Sequence, residues 1–362
     1  MTDRTATFSK SRYHCRDAGT DTRRTKRQPL VLGFAVTEHC NLRCPHCIRD
    51  DVTTVHCLES ELVRRVVVEA NELFDNVLAS LTGGEPLLHP GFGRILEVLS
   101  DTDVPYRFVT NGWHTRRAMP LLDRYPPQSV RLSLSGADRA SHDAERGRGS
   151  FDRVLLSIAL LTSRRIPTYL SLIVDRRTRG QIRMGADLAE SLGCTGIGFI
   201  LPQPTPGSAA RDSDLPPGDW LPVRKEIEAV AADSDRNTTI SLDYGAPFDG
   251  SESLCDTFDL RRVYIDTRGR LCTCCQLSCY GFNEAEAVAD LREMSFAEAY
   301  GLYLNRLTEL RRAQQPDPQS PHVTDRFPCL RCARASGKLA WLAEHRRSAW
   351  HAAADDWRPA NV

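Results

Sequence analysis

No apolar run in this 362-residue chain approaches the roughly 20 residues that a membrane-spanning helix requires. The first residues carry no apolar signal-peptide core. An excess of one charge is missing as well. Lys and Arg together number 47 and so do Asp and Glu, so no net field draws the chain toward nucleic acid or a membrane surface. There is no repeat at solenoid spacing and no low-complexity tract. Cysteine is almost absent from Leu58 to Leu254, where Cys194 stands alone. What remains is an ordinary globular composition, 41% hydrophobic and 26% charged, long enough for one large domain and a smaller one. The expectation is a cytoplasmic protein with neither a nucleic-acid nor a membrane partner.

Against that background the cysteines stand out. There are 13, unevenly placed: three at Cys40, Cys44 and Cys47, and seven between Cys255 and Cys332. In a reducing compartment such clusters favour metal over disulfides. The first three follow an apolar stretch at 29–36. Three thiolates on one short loop can hold three irons of a [4Fe–4S] cluster, and with no fourth cysteine nearby one iron stays open to a small molecule.

The rest of the pattern alternates. Strand-length apolar runs at 30–36, 77–81, 105–109, 129–134, 167–174 and 195–201 are separated by helix-period segments near 58–74, 91–100, 116–123, 151–165 and 180–192. Six such units predict an α/β fold, an open (βα)6 partial TIM barrel, with chemistry at the C-terminal ends of its strands. The cysteine loop follows the first strand and so lies at that mouth. Residues 1–28 read as a basic, flexible tail and 29–235 as the barrel. The Pro- and Gly-rich stretch 202–218 reads as a rigid connector or a loop over the mouth. Residues 236–335 read as a small α+β iron–sulfur domain, with a hairpin turning at Gly269 and a helix near 295–313. Residues 336–362 read as a C-terminal helix carrying Leu339, Leu342 and Trp350.

At the end of the second strand comes Leu81-Thr-Gly-Gly-Glu-Pro86. Its glycines let backbone approach a ligand closely, and Glu85 can accept from an ammonium group. One unit after Cys40, Cys44 and Cys47, this turn resembles the glycine-rich motif of the radical S-adenosylmethionine (radical SAM) superfamily. The likeness runs over roughly residues 30–210 and includes Thr110-Asn-Gly112 and the stretch from Arg131 to Gly147. It implies a [4Fe–4S] cluster on Cys40, Cys44 and Cys47, and SAM held by Gly83, Gly84, Glu85 and Pro86. It further implies SAM contacts from Ser133, or Ser135, and from Arg146. Ser133 and Ser135 share a strand face, and the sequence does not separate them. The implied chemistry is reductive cleavage of SAM to a 5′-deoxyadenosyl radical that takes a carbon-bound hydrogen. The implied reductant is flavodoxin- or ferredoxin-like.

Downstream, the order of Cys255, Gly269, Cys274 and the pair Cys329-x2-Cys332 resembles the SPASM/Twitch extension of these enzymes. With no cysteine after Cys332 it resembles the Twitch form, which implies one auxiliary [4Fe–4S] cluster on Cys255, Cys274, Cys329 and Cys332. Structural zinc on the same thiolates is the rival, and Cys272 or Cys275 could take the place of Cys274. A spare thiol, Cys275 or Cys279, could return a hydrogen atom to a substrate radical. The favoured reading is a radical SAM epimerase, or a two-electron oxidase, acting on a saccharide-type small molecule, a sugar or aminocyclitol. Only 39 residues precede Cys40, too few for a folded leader-peptide recognition unit. Modification of a ribosomally made peptide is the alternative. A non-catalytic electron-transfer or redox-sensing protein is the alternative of another class.

Overall fold

The computed structural model describes residues 28–49, 55–233, 235–242, 255–279, 286–314 and 322–354, without the side chain of Cys279. The basic tail up to residue 27, with Cys15, lies outside the described residues. In chain order the elements are β1 (Leu30–Thr37), α1 (Ser60–Leu73), β2 (Val77–Gly83), α2 (Phe92–Asp101), β3 (Tyr106–Thr110), α3 (Thr115–Arg124) and β4 (Ser129–Leu134). There follow α4 (Arg139–Arg146), α5 (Ser150–Thr162), β5 (Thr168–Ile173), α6 (Ile182–Ser191), β6 (Gly196–Ile200), α7 (Pro206–Ala210), α8 (Trp220–Ala231) and β7 (Thr239–Leu242). The chain then forms β8 (Arg262–Ile265), β9 (Arg270–Cys272), α9 (Cys275–Cys279), β10 (Ala287–Asp290), α10 (Phe296–Ala313) and α11 (Pro328–Ala335). No helix among the described residues is long and apolar enough to cross a membrane.

All six expected strands form and pair in parallel, each with the next, and the sheet does not close. The alternation along each strand explains the layering. On β4, Val130, Leu132 and Leu134 are fully buried under the helices, while Ser129, Arg131 and Ser133 take the opposite, concave face. On β1, Leu32, Phe34 and Val36 do the same against α1, whose Leu62, Val63, Val66, Val67 and Ala70 form its buried stripe. Each such side chain contributes roughly 1.5–3 kcal/mol by leaving water, so the outer layer carries the barrel and leaves the inner face free to be polar.

Three elements around the connector were not foreseen. The Pro- and Gly-rich connector contains α7 and leads into α8, and β7 adds a seventh parallel strand beside β6. The hairpin at Gly269 forms as expected, as β8 and β9 with Gly269 at φ +77. Its strand β8 also pairs in parallel with β1, so that β8, β9 and β10 extend the barrel's own sheet in the order β10-β9-β8-β1. The expected C-terminal helix is replaced by two 3₁₀ turns, Ala340–Glu344 and His351–Ala354. Packing decides this: Leu339, Leu342 and Trp350 are buried, and Trp350 meets Phe327 edge-on at 4.9 Å. Residues 355–362 lie outside the described residues.

Candidate functional site

β1 ends at Thr37, and the chain turns directly into the cysteine loop. Two backbone bonds clamp this loop to the turn after β2: the Gly84 N–H donates to the Thr37 carbonyl and the Glu85 N–H to the His39 carbonyl, each at 2.7 Å. That approach requires both glycines. Gly83 sits at φ +126, and a Cβ there would lie 2.3 Å from the Thr37 oxygen. At Gly84 a Cβ would lie 2.1 Å from the His39 oxygen. The lead-in is fixed from its other side too, where the Glu38 carboxylate accepts from the His56 N–H at 2.8 Å and from Thr267 Oγ1 at 2.9 Å.

Glu85 is buried and points inward. Its carboxylate accepts from Thr110 Oγ1 at 2.7 Å, from the Asn111 N–H at 2.8 Å and from the Leu87 N–H at 3.3 Å. Burial pushes its pKa up to about 7 in spite of these bonds. Asn111 in turn donates through Nδ2 to Asn41 Oδ1 at 3.0 Å, so the end of β3 holds the cysteine loop as well.

Cys40, Cys44 and Cys47 lie within electrostatic reach of one another. Burial raises the Cys40 thiol and pushes Cys44 up to about 11, with the Arg146 charge pulling the other way. Arg146 is buried at the end of α4. Its Nε donates to Ser135 Oγ at 2.7 Å, and its charge acts on both Cys44 and Glu85. The structure therefore brings Gly83, Gly84, Glu85, Pro86 and Arg146 together around the cysteine loop. Of the two candidate serines, Ser135 is the one bonded to Arg146. Ser133 stands two residues earlier, on β4, which ends at Leu134 before Ser135.

A hub beside this site escaped the sequence reading. The buried Glu145 carboxylate accepts from Arg211 Nη1 at 2.9 Å, pairs with Arg177, and meets His46 Nδ1 at 3.3 Å. Burial alone would raise Glu145, but the bonds from His46 and Arg177 outweigh it and hold the pKa down at about 2. His46 lies between Cys44 and Cys47, so Glu145 ties that loop to α4 and to the segments after β5 and α7. The connector helps from above: Thr205, which caps α7, donates through Oγ1 to the Pro45 carbonyl at 2.7 Å.

The second cysteine group also assembles. Cys274 lies within electrostatic reach of Cys255, Cys275 and Cys332, and Cys332 within reach of Cys255. Cys329 sits one turn before Cys332 on α11. Burial raises Cys255 and Cys274 and pushes Cys332 up to about 12, although Gln314 Nε2 donates to its sulfur at 2.8 Å. Cys272 is elsewhere: it packs against Ala35 and Tyr264, with Cys275 at the edge of that set. Cys279 closes α9, but its side chain is outside the described residues. Cys194 is buried in the core, and Cys57 Sγ shares a hydrogen bond with Thr37 Oγ1 at 3.2 Å.

Among the described residues no three His, Cys, Asp or Glu side chains converge on the place of a single metal ion. A [4Fe–4S] cluster spreads its thiolates over four irons. The donor chemistry suits it, since the thiols of Cys40, Cys44, Cys255, Cys274 and Cys332, raised by burial, become stable thiolates when a bound cluster displaces their protons.

Residues 34–189 match the family model of the radical SAM superfamily. The chain carries a radical SAM domain over these residues. Curated relatives include the AdoMet-dependent heme synthase of Methanosarcina barkeri, 27% identical over 53% of this chain and 56% of that protein. The antilisterial bacteriocin subtilosin biosynthesis protein AlbA of Bacillus subtilis is 29% identical over 47% and 39%. The mycofactocin maturase MftC of Mycobacterium tuberculosis is 28% identical over 46% and 43%. The chain thus spans roughly half the length of the curated relatives it matches. In fold it is similar to SuiB of Streptococcus suis bound to S-adenosylmethionine (TM-score 0.64, 14% identity, 83% of this chain and 72% of that one). It is likewise similar to anSMEcpe with bound AdoMet (TM-score 0.63, 15% identity, 88% and 98%). These relatives support the SPASM/Twitch branch of the superfamily.

Proposed function

We propose that this radical SAM enzyme takes a hydrogen atom from a peptide substrate. The peptide replaces the saccharide expected from the sequence. Its support is that AlbA is named for bacteriocin biosynthesis and MftC as a maturase. At the level of fold, SuiB has been solved with the precursor peptide SuiA and anSMEcpe with the Cp18Cys peptide.

The observation that carries the reading is the Glu85–Arg146 pair of opposite charges beside Cys44. Cys40, Cys44 and Cys47 would hold the [4Fe–4S] cluster. Gly83, Gly84, Glu85 and Pro86 would receive the SAM amine, and Arg146 with Ser135 would receive its carboxylate. When bound, the cluster and SAM supply reductive C–S cleavage and hydrogen-atom abstraction. The chain's own part is positional. Buried Glu85 accepts the ammonium, Arg146 holds the opposite charge in register, and the Thr110, Asn111 and Asn41 bonds fix both to the loop. Cys255, Cys274, Cys329 and Cys332 would hold the auxiliary cluster, and Cys275, which lies within electrostatic reach of Cys274 and packs at the edge of the Cys272, Ala35 and Tyr264 set, would be the thiol that returns a hydrogen atom.

Anaerobic reconstitution followed by dithionite, SAM and a peptide library in deuterated water tests this. The expected outcome is 5′-deoxyadenosine formation and modified peptides, with about eight irons per chain on the two-cluster reading. One solvent deuterium in the product, lost in Cys275→Ala, marks the epimerase outcome. A product lighter by two hydrogens, unaffected by that change, marks oxidation. Iron binding with no 5′-deoxyadenosine overturns the enzyme reading.

A further inference from the structure

The concave face of the barrel carries a guanidinium that the site described so far does not use. Arg131 lies on β4 between Val130 and Leu132, both fully buried on the helix side, so it takes the inner face with Ser133. Its Nη1 donates to Ser171 Oγ at 2.9 Å, and its Cζ lies 5.8 Å from the centre of the Tyr169 ring. On the next strand a Cβ at Gly198 would come within 3.0 Å of Nη1, so the absence of a side chain there makes room for the head group. Among the described residues no carboxylate pairs with Arg131. A half-buried guanidinium has five donors in a planar fork. Here one hydroxyl and one aromatic face meet it, which leaves most of the fork without a hydrogen-bond partner among the described residues.

We propose that Arg131 binds a carboxylate of the substrate, from an acidic side chain or a free C-terminus, and so fixes the register of the chain being modified. This rests on the peptide reading above. Guanidinium and carboxylate fit as a two-bond fork, which gives orientation as well as attraction. Arg131 stands two strand residues below Ser133, about 6.6 Å deeper in the barrel than that candidate SAM contact. An anchored acid there leaves a short, fixed length of extended chain to reach the mouth, where SAM would sit. The modified residue should therefore lie at one constant, small offset from the acid.

The test uses reconstituted holoenzyme, wild type, Arg131→Gln and Arg131→Lys, with iron content and thermal melting as the controls for folding. A random-sequence peptide library is reacted and its modified members sequenced by mass spectrometry. The expected result is roughly a tenfold or greater enrichment of Asp, Glu or a free C-terminal carboxylate at one offset. That enrichment is lost in Arg131→Gln and weakened in Arg131→Lys, which keeps the charge without the fork. An enrichment that survives Arg131→Gln, or none in the wild type, overturns the proposal. So does a variant whose requirement for SAM rises while its peptide preference is intact. If the wild type cleaves SAM but modifies no peptide, the peptide reading fails. Calorimetric titration with glutarate then decides the anion site: binding at least tenfold weaker in Arg131→Gln upholds it, and equal or absent binding refutes it.

Discussion

The clamp between the cysteine loop and the turn after β2 makes Gly84→Ala a demanding substitution. An added methyl would sit 2.1 Å from the His39 oxygen, 2.6 Å from the His39 carbonyl carbon and 2.5 Å from Arg49 Nη1. The arginine can swing away, but the backbone cannot yield without giving up the 2.7 Å bonds from Gly84 to Thr37 and from Glu85 to His39. Two lost hydrogen bonds cost about 1 kcal/mol each, and forced overpacking adds about 1–3 kcal/mol. The sum is about 3–5 kcal/mol, a large share of the 5–15 kcal/mol that holds a typical protein together. Urea denaturation of the iron-free chain reads the loss, and iron per chain after anaerobic reconstitution reads its local effect, because a displaced loop misplaces its thiols. Gly180→Ala is the control, since a Cβ there meets nothing within 4 Å. Wild-type stability and iron content in Gly84→Ala would show that the clamp is not what sets the loop, and the reasoning would fail.

Three further outcomes follow from groups around the two sites. Glu85 has its folded pKa raised from 4.5 to about 7. Its contribution to stability is therefore full below about pH 4.5 and lost as pH rises through 7, by at most about 3 kcal/mol; Glu85→Gln should flatten that slope in denaturation of the iron-free chain between pH 5 and 8. Glu145 is the opposite case, held down at about 2, so its contribution is present above pH 4.5 and fades as acid approaches 2. Because Arg177 and Arg211 are 37% and 53% exposed, Glu145→Gln should cost about 1–2 kcal/mol at neutral pH rather than the 3–5 kcal/mol of a fully buried pair, read as a lower melting temperature and a flatter acid limb. Gln314→Leu removes the donor on the Cys332 sulfur. If that sulfur ligates an auxiliary cluster, the cluster's potential should fall by about 59 mV per tenfold change in its reduction equilibrium, in an EPR-monitored redox titration. An intact auxiliary cluster with unchanged potential would count against it.

Much of the barrel was legible because each parallel strand is buried and reads as an apolar run between turn signals. β7 was not: Thr239–Leu242 is short and only partly buried, and it follows a polar stretch. α8 was masked by the prolines before it. The hairpin at Gly269 announced itself, but its pairing with β1 did not, because local pattern chooses a turn and not a distant strand. The same distinction runs through the site. Cys40, Cys44, Cys47 and the glycine turn are contiguous motifs and were visible as such. Glu145, Arg177 and Arg211 come to His46 from three separate segments, and each of the three alone reads as ordinary surface charge. Strand period could not separate Ser133 from Ser135, and the bond from Arg146 to Ser135 required the tertiary fold.

The parallel pairing of β1 with β8 also bears on how the molecule is made. β1 leaves the ribosome first and receives β2 soon after, but its other edge waits for residues 262–265, more than two hundred positions later. Until then a row of unpaired backbone groups stands open to other chains. Closure at such sequence separation is intrinsically slow. The nascent protein therefore carries the loop of Cys40, Cys44 and Cys47 on a strand that is still a free edge, and the last third of the chain acts as its seal.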